Sequence, residues 1–94
     1  MHARLSTYEG DARELTKGFE AQTAPLGEVD GFKAAYFGVS DSGKAFSLTL
    51  WESEEALEAS AERAKQLRSD ATEPSGAQIQ SVEHFEVTVT AGTA

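Results

Sequence analysis

Residues 31–67 read GFKAAYFGVSDSGKAFSLTLWESEEALEASAERAKQL, and the order of elements inside this stretch decides the fold. Residues 32–39 place Phe32, Ala34 and Tyr36 on one side and Lys33, Ala35, Phe37 and Val39 on the other, the period of a strand. Aromatic residues on both sides predict a strand covered on both faces. The segment Ser40-Asp41-Ser42-Gly43-Lys44 supplies hairpin chemistry, with Gly43 suited to a left-handed position. The strand that follows alternates cleanly, Phe46, Leu48 and Leu50 one way and Ser47, Thr49 and Trp51 the other. Ser53 then caps a helix whose first turn carries Glu54 and Glu55, where the helix dipole favours carboxylates. Leu57, Ser60, Ala61, Ala64 and Leu67 recur at helical spacing as its buried stripe, and Arg63, Lys65 and Arg68 fall in its last turns.

Working outward, residues 3–8 form a short strand with Leu5 and Thr7 opposite Arg4, Ser6 and Tyr8. Glu9-Gly10-Asp11 breaks it, and Asp11 caps a helix with Ala12, Leu15 and Phe19 on its apolar face. Gly18 weakens that helix by about 1 kcal/mol relative to alanine, and Pro25 and Gly27 close it. Residues 69–78, with Pro74 and Gly76, read as loop. Residues 79–90 read as a long terminal strand in two phases, Val82 and His84 against Phe85, Val87 and Val89. The order β-α-β-β-α-β is the ferredoxin-like plait, an α+β fold in which right-handed crossovers put two helices on one face of an antiparallel sheet. Two helices cover one face only, while apolar residues occupy both faces of the second strand. A second copy packed sheet against sheet, an isologous homodimer, is the economical cover.

The 94 residues make a single domain spanning 1–94, too short for a second core. A net charge of -8 argues against nucleic acid, whose binding draws on Lys and Arg, and against an anionic membrane surface. No apolar run reaches the ~18 residues of a membrane helix, and the first residues lack the apolar core of a secretory signal. The absence of cysteine excludes disulfides and thiolate chemistry and makes the cytoplasm the default compartment. Many alanines, one isoleucine and no asparagine suggest a GC-rich bacterial source.

Gly31-Phe32, the hairpin and Leu50-Trp51-Glu52-Ser53-Glu54-Glu55-Ala56, with Val82-Glu83-His84-Phe85-Glu86-Val87 at the end, resemble the antibiotic biosynthesis monooxygenase-like group of dimeric α+β barrel proteins. The resemblance covers nearly the whole chain. It implies two sheets packed into a barrel, a pocket in each protomer between sheet and helices, and an aromatic wall at Trp51. The group includes cofactor-independent oxygenases of polycyclic phenols and haem-degrading oxygenases. Haem degraders resemble one another in an Asn, Trp, His set; this chain has no asparagine, and Ser60 and Ala61 stand where the histidine is expected. Quinone-forming members resemble one another in an asparagine beside the tryptophan, and here the same-face neighbour two pleats earlier is Ser47.

The candidate site residues are Trp51, Tyr36 and His84. Trp51 stacks on a flat substrate and donates its indole N–H, or fills the helix–sheet junction. Tyr36 donates to a substrate oxygen, or snorkels at a sheet rim. His84 is the general base near neutral pH, or a solvent-facing residue between Glu83 and Glu86. Arg4 pairs with an anionic substrate or with a surface carboxylate. The glutamates 52, 54, 55 and 58 are explained by helix dipole and solvation. No metal or other cofactor is expected, since metal-ligand spacing and a phosphate-binding glycine loop are both missing. Two functions follow: a cofactor-independent monooxygenase-like protein acting on or binding a small aromatic, polyketide-like compound, or a non-catalytic homodimer that binds a small apolar molecule or stabilises a partner.

Overall fold

The computed structural model describes residues 1–92. Strand β1 (His2–Glu9) leads into helix α1 (Ala12–Gly27), strands β2 (Phe32–Val39) and β3 (Lys44–Trp51), helices α2 (Glu54–Ala59) and α3 (Ala61–Thr72), a 3₁₀ turn (Glu73–Ser75) and strand β4 (Gln78–Glu86). The strands form one antiparallel sheet in the order β2-β3-β1-β4, the ferredoxin-like arrangement, with the helices on one face. Asp11 and Ser53 cap α1 and α2, accepting from the backbone N–H of Glu14 and Ala56.

Helix α1 ends at Gly27, as expected, and runs through Pro25 because Leu26 is buried against Trp51, Leu57 and Leu67, packing that holds the last turn. Three boundaries depart from the sequence expectation. The single helix expected after Ser53 is two, broken at Ser60, whose hydroxyl turns back to the Leu57 carbonyl at 2.7 Å. Ala61, expected in the buried stripe, is exposed as a consequence. Residues 69–72, expected as loop, continue α3, which ends by burying Ala71 and Thr72. Strand β4 stops at Glu86, not at residue 90; beyond it Val89 is exposed.

The pairing register decides which residues meet the helices. Arg4 pairs with Thr49 and His84, Ser6 with Ser47, and Phe37 with Ser47. Paired residues share a face, so Arg4, Ser6, Tyr8, Ser47, Thr49 and Trp51 lie under the helices, and all six are buried. The opposite face carries Leu5, Leu48 and Leu50 together with the exposed Tyr36, Phe46 and Phe85.

Beneath the helices the apolar side chains form two clusters. One is Tyr8, Leu15, Phe19, Ala45 and Ala71; the other is Leu26, Trp51, Leu57 and Leu67, with Phe37 packed against both. Gly18 has a packing reason: a Cβ there would strike the Ala71 backbone, so α1 and α3 approach closely only at a glycine. Gly31 serves the β3–α2 junction. Its φ of 82° and its contact with Ala56 both require glycine, and its carbonyl accepts the Glu52 N–H at 2.9 Å.

Candidate functional site

Between the two apolar clusters runs a band of polar side chains. Arg4 projects from the middle of β1 into it and is only 3% exposed. Its Nη2 donates to the Leu57 carbonyl at 2.8 Å, Nη1 to Ser60 Oγ at 3.2 Å and Nε to His84 Nε2 at 3.2 Å. The guanidinium carbon also lies 5.6 Å from the Trp51 ring centroid. A guanidinium has five N–H donors, so two of them remain without a protein acceptor among the described residues. Burial, reinforced by the charge of Arg68, holds its pKa down at about 10, which leaves it cationic at neutral pH.

No carboxylate answers this charge. Among the described residues the single ion pair is Lys17 with Glu14 on the exposed side of α1, at 3.6 Å. Arg68, on α3, is half-buried beside the same space, makes no side-chain hydrogen bond among the described residues, and is pushed below its ordinary value by burial. Two cations therefore share the interior of a chain whose net charge is -8.

Hydroxyl and amide groups complete the band. Tyr8 Oη and Ser47 Oγ lie 2.7 Å apart, and burial pushes the phenol above its usual value against the pull of Ser47, Ser6 and Arg68, so it stays neutral. Gln22, from α1, is 7% exposed, and its Oε1 has no donor. Arg4, Tyr8, Gln22, Ser47 and Arg68 all border one cavity of ≈ 30 Å³, room for about one water.

Trp51 does not border that cavity. It is fully buried, its indole N–H donates to Thr49 Oγ1 at 3.0 Å, and its ring meets Phe32 edge-on at 5.6 Å. Tyr36 is 41% exposed on the opposite face of the sheet, remote from Trp51 and the cavity. His84 lies on the helix side of the edge strand β4, facing solvent. Because its Nε2 accepts from Arg4, the imidazole is neutral with its proton on Nδ1. Burial and the charges of Arg4 and Arg68 lower its pKa, and Glu58 opposes them. An open groove of ≈ 340 Å³ runs past His84, with Glu54, Glu58 and Glu86 on its walls. The three sequence candidates thus divide: His84 touches the polar band, Trp51 seals one end of it, and Tyr36 stands outside.

Arg4 is not the surface ion-pairing residue that one sequence reading allowed, because the sheet and α2 enclose it. The site also holds Tyr8 and Gln22, which the sequence alone does not single out. The available signal was a period-two polar row, Arg4-Ser6-Tyr8, facing a second one, Ser47-Thr49. Among the described residues no group of three or more His, Cys, Asp or Glu could hold a metal ion. Among the described residues no helix is long and apolar enough to cross a membrane.

No family model and no curated protein matches the sequence. Solved structures do match over the whole fold. The haem-degrader MhuD from Mycobacterium tuberculosis, with two haems bound in its active site, is 26% identical, with 98% of this chain and 100% of that chain covered and a TM-score of 0.75. A monooxygenase from the gene ActVA-Orf6 of Streptomyces coelicolor, in complex with nanaomycin D, is 20% identical, with 99% and 92% covered and a TM-score of 0.70. SnoaB, a cofactor-independent oxygenase from Streptomyces nogalater, is 14% identical, with 95% and 94% covered and a TM-score of 0.64.

Proposed function

On the antibiotic biosynthesis monooxygenase-like fold that these structures share with the chain, we propose a homodimeric protein that admits a small aromatic compound between sheet and helices and oxidises it with dioxygen, without a bound cofactor. The observation that carries the reading is the interior itself. Arg4 is enclosed with neutral acceptors and no paired carboxylate, and Gln22 Oε1 is left unpaired, a costly arrangement for a core that has no ligand to receive. Neighbours on this fold hold nanaomycin D or haem.

The chemistry asked of these residues is electrostatic. A phenol with a free ring position and dioxygen yield a quinone and water, one oxygen atom entering each product, with the substrate supplying all four electrons. Arg4 and Arg68 favour the ionised phenol that starts the electron transfer. Tyr8 and Ser47 carry hydroxyl protons toward the charge that develops on oxygen. His84 takes the substrate proton only after its Nε2 releases Arg4.

Haem does not fit this donor set. Ser60, where the family resemblance expects the ligating histidine, offers a hydroxyl already bonded to Leu57 and Arg4. The guanidinium fills the space in front of it.

Binding without turnover is a second reading, favoured by one observation: Trp51, the aromatic wall that the resemblance implies, is sealed away from the cavity. Oxygen uptake with a panel of ionisable phenols separates the two. Uptake that is lost in His84→Ala and Arg4→Met supports oxidation; raised melting temperature with no uptake supports binding alone. The homodimer rests on the open sheet face, where Leu48 and Leu50 flank Phe46 and Phe85. The cytoplasm is the compartment that a cysteine-free chain of this kind suits.

A further inference from the structure

Resting on the small-molecule reading above, we propose that the ligand is a single-ring aromatic acid bearing a hydroxyl: its anionic oxygens sit between Arg4 and Arg68, and its hydroxyl donates to Gln22.

Each part of that ligand answers a separate feature. The negative charge answers two guanidiniums that border one cavity, lack any carboxylate among the described residues, and keep N–H donors free. Arg paired with a carboxylate in a low-dielectric site forms strong charge-assisted hydrogen bonds. The hydroxyl answers Gln22 Oε1, an acceptor that is more than nine-tenths buried, unpaired and on the wall of the same cavity.

The ring answers a second space. Phe19 and Phe37 stack at 4.9 Å with 27° between their planes. They border the cavity on one side and, on the other, an open groove of ≈ 140 Å³ between α1 and β2 with Thr16 and Thr23 on its rim. Parting this pair would join groove to cavity. A space of about 150 Å³ takes one benzene ring, so the acid end reaches the arginines while one ring lies between the two phenylalanines. A polycyclic compound is too large for this path.

The test is ¹H–¹⁵N NMR titration of the intact chain with salicylate, with salicyl alcohol as the uncharged counterpart and formate as the anion alone. Salicylate should saturate, moving the Gln22 side-chain amide and the Ser60 amide, and salicyl alcohol should bind about tenfold or more weakly. Arg68→Gln, at a half-buried residue with no side-chain hydrogen bond to lose, should weaken salicylate by about tenfold while leaving the spectrum folded. Gln22→Leu should abolish the preference for salicylate over benzoate. Equal binding of the alcohol and the acid, or no effect of Arg68→Gln, overturns the anion assignment and leaves the small-molecule reading standing. Saturation by formate with no response to either aromatic compound overturns the ring assignment, and the reading beneath it falls as well.

Discussion

The two faces of this sheet have exchanged the polarity that a lone domain would give them. The face under the helices carries Arg4, Ser6, Tyr8, Ser47 and Thr49, and the face open to solvent carries Leu48, Leu50, Phe46 and Phe85. Stability alone would place these rows the other way round, since each buried leucine contributes about 1.5–3 kcal/mol and an unpaired buried charge opposes folding. The proposed ligand site would account for the polar inner face, and the proposed second copy for the apolar outer one.

The largest effect is expected at the residue that closes the inner face. Trp51→Ala should cost about 3–5 kcal/mol in chemical denaturation, because the ring is fully buried and its partners Leu26, Leu57 and Leu67 would border a cavity. A loss under about 1 kcal/mol would mean the ring is not a packing element. On the outer face, Leu48→Glu should turn the proposed dimer into a monomer in sedimentation equilibrium while the far-UV circular dichroism stays unchanged. A wild-type chain that is already monomeric at micromolar concentration ends the dimer assignment.

Smaller effects sharpen the inner face. Gln22→Leu removes an acceptor without a donor and should raise stability by about 1–2 kcal/mol in urea melts; a loss of that size would mean that Oε1 is satisfied in solution. The smallest effect is electrostatic. The pKa of His84 is lowered in the fold, so the folded state prefers the neutral ring. Its contribution is fully present above the ordinary histidine pKa of about 6.5 and declines as pH falls through the lower folded value. Burial drives that sign first, Arg4 and Arg68 add to it, and Glu58 resists it. Melting temperature should therefore fall more steeply below neutrality in the wild type than in His84→Gln, and parallel curves would contradict the assignment.

Legibility followed locality. Strand alternation, the Asp11 and Ser53 caps and the Gly43 turn are written in neighbouring residues, and the order of elements was readable from them. Which face of β3 meets the helices was not, because its alternation makes the Phe46-Leu48-Leu50 row the more apolar one, and only pairing with the Arg4-Ser6-Tyr8 row shows that Ser47, Thr49 and Trp51 lie under the helices. For the same reason Tyr36 stood out while Tyr8 did not: Tyr8 sits in a row with Arg4 and Ser6 that looks solvated until β3 pairs with it. The break at Ser60 was hidden too. Residues 54–68 keep helical spacing throughout, and that spacing does not reveal that the Ser60 hydroxyl turns back to the Leu57 carbonyl three residues earlier.

The central claim is that the polar interior serves a ligand and not the fold. The double variant Arg4→Met with Gln22→Leu tests it directly, read by urea denaturation and salicylate titration of the same sample. Stability within about 1 kcal/mol of wild type or above it, with salicylate binding lost, is the result this account predicts. A loss of more than about 3 kcal/mol with binding retained would make the band a structural network and contradict it.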